Sequence, residues 1–73
     1  MMKMPNKELI AELRREYPKG ARVELIRMDD VQAPPVGTQG TVLAVDALGS
    51  LLVRWDNGSC LNVIYGKDAV KMI

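Results

Sequence analysis

Seventy-three residues with ten basic and nine acidic side chains, a formal net charge of +1, a single cysteine and no histidine set the limits. A chain this short holds one domain and buries only about 60% of the surface its unfolded form exposes. Cys60 alone allows no internal disulfide, and without histidine no zinc constellation of familiar spacing can form. Near-neutral charge supplies no global field for gathering phosphate backbones or acidic lipids.

In chain order, residues 1–5 carry no pattern and no apolar core of a secretory signal, so they read as a flexible tail. Asn6 stands where a helix N-cap belongs. Over residues 7–17, Leu9, Ile10, Leu13 and Tyr17 recur at three- and four-residue spacing, which predicts an amphipathic helix. Glu8 in its first turn and Arg14 and Arg15 in its last agree with the helix dipole, and Pro18 followed by Gly20 ends it. Residues 21–28 alternate, with Val23 and Leu25 on one side and Arg22 and Glu24 on the other, until Ile26 breaks the order; this is a first strand with a bulged far end. Residues 29–38 contain Asp29, Asp30 and the Pro34-Pro35 pair, which cannot donate to a ladder, so they form a surface loop whose return is bracketed by Gly37 and Gly40.

Three apolar runs rich in β-branched residues follow, at 42–45, 51–55 and 61–64, separated by Gly-containing breaks at 46–49 and 56–59. They predict an antiparallel meander. Asn57-Gly58 reads as a two-residue hairpin turn, since such turns need positive φ at both central positions and Asn then Gly tolerate it best. Residues 66–68 form a turn and 70–73 a closing strand. The expected fold is mainly β: a small five-stranded SH3-like barrel with one N-terminal amphipathic helix, residues 6–73 forming a single domain. Val23, Leu25, Val42, Ala44, Val53, Trp55, Val63 and Val70 point inward, and the helix stripe plugs an end or covers an open face. The phase of Leu51 and Leu52 is open at this level, and an open sheet with a helix laid across it is the alternative architecture.

Gly37-Thr-Gln-Gly-Thr-Val42 and Gly49-Ser-Leu-Leu-Val-Arg-Trp-Asp-Asn-Gly58, with Glu16-Tyr-Pro, Met28-Asp-Asp and Pro34-Pro35, resemble a bacterial and phage family of short proteins of unknown function. The resemblance runs from Lys7 to Val70 and implies a mobile-element setting. Gly20-Ala-Arg-Val23, Gly40-Thr-Val42 and Val53-Arg-Trp-Asp-Asn-Gly58 are similar, in part, to the Mind bomb and HERC domain, an SH3-like barrel that binds peptide segments. The chain departs from that domain at residues 29–36, where prolines replace Trp and glycines. Gly40 between apolar β-residues bears a looser similarity to the KOW motif.

Catalytic residues are not expected: the usual base near neutral pH is missing, and neither Ser50 nor Ser59 has an activating neighbour in sequence. Cys60 reads as a small buried apolar residue. Asp29 and Asp30 lack the further oxygens a calcium site needs. No metal or cofactor is expected, and no apolar run approaches the ~20 residues of a membrane helix. The chain therefore reads as a cytoplasmic, non-enzymatic interaction module that binds a partner protein through a loop or sheet edge. The candidate binding residues are Asp29, Asp30, Pro34, Pro35, Gln39, Arg54, Trp55 and Tyr65, with Asn57 and Gly58 as a structural turn. Two alternatives belong to other classes. One is nucleic-acid binding through Arg22, Arg27, Arg54 and Lys67 with Trp55 or Tyr65 as a stacking surface. The other is a small ligand or nucleotide in the cleft of a homo-oligomer, self-association being a separate expectation from the thin core.

Overall fold

A computed structural model describes residues 7–73; the expected tail and the Asn6 cap lie outside the described residues. The elements are α1 (Lys7–Glu16), β1 (Arg22–Arg27), β2 (Gln39–Val45), β3 (Ser50–Trp55), β4 (Val63–Ile64) and β5 (Ala69–Met72). All five strands join one antiparallel sheet in the order β4-β3-β2-β1-β5. The meander thus runs outward from β1, and the last strand returns to pair on the other side of it, the arrangement expected of an SH3-like barrel. Among the described residues no ladder joins β4 to β5, so the barrel keeps a seam between its two outer strands.

α1 forms because its apolar stripe has a core to cover: Ile10 and Leu13 are buried, and Leu9 and Tyr17 pack beside them. The helix stops at Glu16 because Pro18 pushes Tyr17 out of the helical region, although the Tyr17 N–H still donates to the Leu13 carbonyl at 2.8 Å. Its last turn is pinned to the sheet by Arg14, whose Nε and Nη2 donate to the Val45 carbonyl at 3.3 and 3.1 Å. Inside, Val23, Leu25, Val42, Val45, Leu51, Val53, Trp55 and Val63 complete the buried cluster. At about 25 cal/mol per Å² of apolar surface, these side chains are the main favourable term in so small a domain.

The structure corrects several expectations. Ala44 does not point inward: a bulge between Val42 and Ala44 inserts one residue into β2, so the phase flips and Val45 is buried while Leu43 and Ala44 face out. On β3 the same ladder settles the Leu51 and Leu52 phase, with Leu51 inside. The expected bulge on β1 is present, between Leu25 and Arg27. Gly40 does not bracket the loop but lies within β2, paired with Trp55. The fourth strand shrinks from four residues to Val63–Ile64, and ahead of it the Leu61 carbonyl accepts the Trp55 indole Nε1–H at 3.0 Å.

The Asn57-Gly58 turn also differs. Among the described residues no non-glycine has positive φ, so Asn57 cannot occupy the first position of the expected turn. Instead the Gly58 N–H donates to the Trp55 carbonyl at 2.9 Å, and the Trp55 N–H to the Ser59 carbonyl at 2.8 Å. This is a three-residue loop with Gly58 at φ 95°. The Asn57 side chain closes it by accepting from Ser59 N and Oγ. Residues 46–50 repeat the device, with Asp46 Oδ1 accepting from Leu48 N and Ser50 N at 2.9 Å each. Because the second loop closes on Ser59, Cys60 follows it outside any ladder and is exposed, contrary to the buried position expected for it.

Two substitutions test this packing. A Cβ at Gly40 would lie 2.7 Å from Val53 Cγ1 and 2.8 Å from Trp55 Cε3, so Gly40→Ala is expected to cost about 1–3 kcal/mol through forced displacement of the core. A Cβ at Gly58 meets nothing within 4 Å, and Gly58→Ala is expected to cost about 1 kcal/mol from positive φ alone. Urea unfolding checks both, and Gly40→Ala unfolding at the wild-type midpoint would contradict the indole placement.

Candidate functional site

The expected binding residues do not converge. Gln39 and Arg54 lie on the outer face of β2 and β3, where an ordered polar network occupies the surface. Arg22 is at its centre: Nη1 donates to Thr41 Oγ1 and Asp56 Oδ1 at 2.9 Å each, and Nη2 donates to Gln39 Oε1 at 3.3 Å and to Asp56 Oδ2. The network follows from register, since Arg22 pairs with Thr41 and Thr41 with Arg54 across the three strands. On the same face Lys71 Nζ sits 3.7 Å from Glu24 Oε2. Trp55, expected as a contact residue, is 1% exposed; it is a core residue and offers no stacking surface.

Residues 29–38 form a tied loop. Asp30 folds its first half by accepting from Gln32 N at 2.8 Å, while Thr38 Oγ1 donates to the Pro35 carbonyl at 2.7 Å. The loop's end is fastened to β1 by Gly37 N to Leu25 O and Leu25 N to Thr38 O. Pro34 is buried, which removes it from the contact surface, while Asp29, Asp30 and Pro35 are exposed. Among the described residues no group of three or more His, Cys, Asp or Glu side chains could hold a metal ion.

A concave feature lies elsewhere. Where the sheet stays open between β4 and β5, the C-terminal turn of α1 stands opposite the 65–68 turn and leaves a half-open cleft of about 250 Å³. Leu13, Tyr17, Leu51, Val63 and Val70 supply its apolar wall. Tyr65, 57% exposed, lines it too, and is the one expected binding residue found there. Glu16 and Asp68 are the charged residues of the lining. Asp68 holds the turn in shape, its Oδ2 accepting from Ile64 N at 2.9 Å and its own N–H donating to the Ile64 carbonyl at 2.9 Å. Sequence reasoning missed Leu13, Glu16, Tyr17 and Asp68 as a group because they come together only through the fold. The one local signal was Tyr17, a large aromatic placed just beyond the helix end.

Electrostatics on the polar face give a pH dependence. Hydrogen bonding to the Arg22 guanidinium, with the attraction of its charge as a smaller cause, holds the Asp56 carboxyl below the usual carboxylate range despite some desolvation. A lowered carboxyl contributes stability above its unfolded pKa of about 4 and loses it as pH falls through the lower folded value. The pair is exposed, so the effect is small. Asp56→Asn is therefore expected to be slightly less stable than wild type at pH 7, with the gap closing as the medium becomes more acid than pH ~4; denaturant titrations at pH 7 and pH 3 measure it.

A search of curated proteins and a search of solved structures each return no match to this chain. No helix among the described residues is long and apolar enough to cross a membrane. One family profile, described as a domain of unknown function, covers residues 6–73, and with it the helix, the five strands and the cleft. By that match the chain belongs to the DUF4314 family.

Proposed function

We propose that the chain is a non-enzymatic interaction module that docks a short segment of a partner protein in the cleft between α1 and the β4–β5 seam. The observation that carries this reading is the cleft itself: an apolar wall with a polar rim, at the one place where the sheet leaves two strand edges unjoined. An apolar hollow beside a sheet edge is what many peptide-binding modules use, main-chain hydrogen bonds giving affinity and pockets giving specificity; here the Ile64 N–H and carbonyl are already taken by the 65–68 turn, so the pocket carries the recognition. Its size argues for a side chain rather than a cofactor. At about 250 Å³ it falls short of the roughly 300–1,000 Å³ of pockets that enclose drug-sized ligands, which weighs against a nucleotide.

The polar face favours nucleic acid less. The Arg22 guanidinium is already held by both oxygens of Asp56, and Trp55 is closed off from any base. Phosphate contacts dominate nucleic-acid affinity, and a cation committed to an internal carboxylate contributes less to it. The mobile-element setting implied by the family resemblance makes a bacterial host protein the first partner to look for.

Tyr65 is the residue to change, because it lines the cleft yet is more than half exposed and lies outside the core cluster. Affinity capture with the wild-type chain from host lysate, after nuclease treatment, is expected to retain a protein that the Tyr65→Ala variant loses, although that variant unfolds at an unchanged temperature. Retention that ignores this substitution, or recovery of nucleic acid with no protein in untreated lysate, would reverse the reading.

A further inference from the structure

Resting on the docking reading above, the chemistry of the lining also says which side chain the cleft selects. The whole chain carries slightly more basic than acidic side chains, yet every charged residue of this lining is an acid: Glu16 from the end of α1 and Asp68 from the turn before β5. The ion pairs among the described residues are Arg22 with Asp56 and Lys71 with Glu24, so neither Glu16 nor Asp68 has a cation of its own. Asp68 is also fixed in place: Oδ2 is held by the Ile64 N–H, which leaves Oδ1 to accept from a ligand without reorganisation. Tyr17 and Tyr65 bring two aromatic rings into the same lining, and Leu13 and Val70 supply apolar surface.

Carboxylates, aromatic faces and a greasy wall in one small hollow are complementary to a single kind of side chain, one with a long methylene stem and a positive head. We infer that the cleft binds an arginine side chain of the partner segment, with its methylenes against Leu13 and Val70 and its guanidinium among the carboxylates of Glu16 and Asp68 and the rings of Tyr17 and Tyr65. Arginine fits better than lysine because its planar, weakly hydrated fork stacks on aromatic rings and pairs with carboxylates in two-pronged fashion. A purely apolar occupant would strip water from two carboxylates and return no donor. An acidic occupant meets like charge.

The test is a titration of the isotope-labelled full chain, followed by amide shifts, with the acetylated and amidated tripeptide leucyl-arginyl-leucine at millimolar concentrations. Counterparts carrying norleucine, citrulline or glutamate in the central position are compared with it. A cation–π contact and an exposed ion pair together correspond to about five- to tenfold in affinity. The arginine peptide is therefore expected to bind about five- to tenfold tighter than the norleucine peptide, moving the amides of Leu13, Tyr17, Tyr65 and Val70. The preference should fall by the ion-pair share, about two- to threefold, in Glu16→Gln combined with Asp68→Asn, in which the amide oxygen can still accept from Ile64 N and the two rings remain. Should that double variant unfold, Glu16→Gln alone, on an exposed helix position, is expected to lose part of the preference. Equal binding of the arginine and norleucine peptides at the cleft would overturn this inference and leave the docking reading standing. A preference unchanged in the folded variants would overturn the role given to the carboxylates. Shifts at none of the cleft residues with any peptide would remove both.

Discussion

The contact on which the structure depends is the indole of Trp55 laid against the backbone of Gly40. The two residues face one another across β2 and β3, and the glycine leaves room for a ring that any side chain would displace. That close approach lets a domain with one tryptophan and no phenylalanine fill its centre. It also reaches further along the chain. The indole N–H takes the Leu61 carbonyl, so burial of the ring leaves no unsatisfied donor. The same bond occupies a carbonyl just ahead of β4, and that strand begins only at Val63.

Much of this fold is legible in the residues because the strong local signals agree with one another. The three- and four-residue spacing from Leu9 to Tyr17, the stop at Pro18 and the alternation around Val23 and Leu25 each state an element and its buried face. What sequence periodicity cannot show is a residue inserted into a ladder. The β2 bulge turns Ala44 outward and Val45 inward, and nothing in Val42-Leu-Ala-Val45 marks which of two small apolar residues will lose its place. Asn57-Gly58 illustrates a different ambiguity. The dipeptide announces a turn correctly, but the same two residues suit both a two-residue loop and a three-residue loop in which only the glycine takes positive φ. The choice moves every later residue, and Cys60 leaves the core as a result.

The cleft was less legible than the fold for a reason of distance along the chain. Its wall draws on the helix, on β3, on β4 and on the turn and strand that follow. No window of sequence holds more than a few of those residues, and most of them look like ordinary core. The exposed charges that do attract notice, around Arg22 and Asp56, are instead paired across the outer face of the sheet, where strand register brings opposite signs together. Conspicuous polar residues were thus spent on holding the sheet, while the concave surface was assembled from inconspicuous ones.

The brevity of β4 carries a consequence for motion. Only two residue pairs fasten that strand to its neighbour, Ser50 with Ile64 and Leu51 with Val63, and on its far side no strand pairs with it among the described residues, Ile64 being held there by the 65–68 turn alone. Free energies of local opening scale with how much buried surface and how many ladder bonds a segment must release. Releasing this rim therefore breaks fewer ladder pairs than releasing β1, β2 or β3 would. Any occupant that bridges it to the helix acts as a rivet, adding its own binding energy to the most thinly paired part of the hoop.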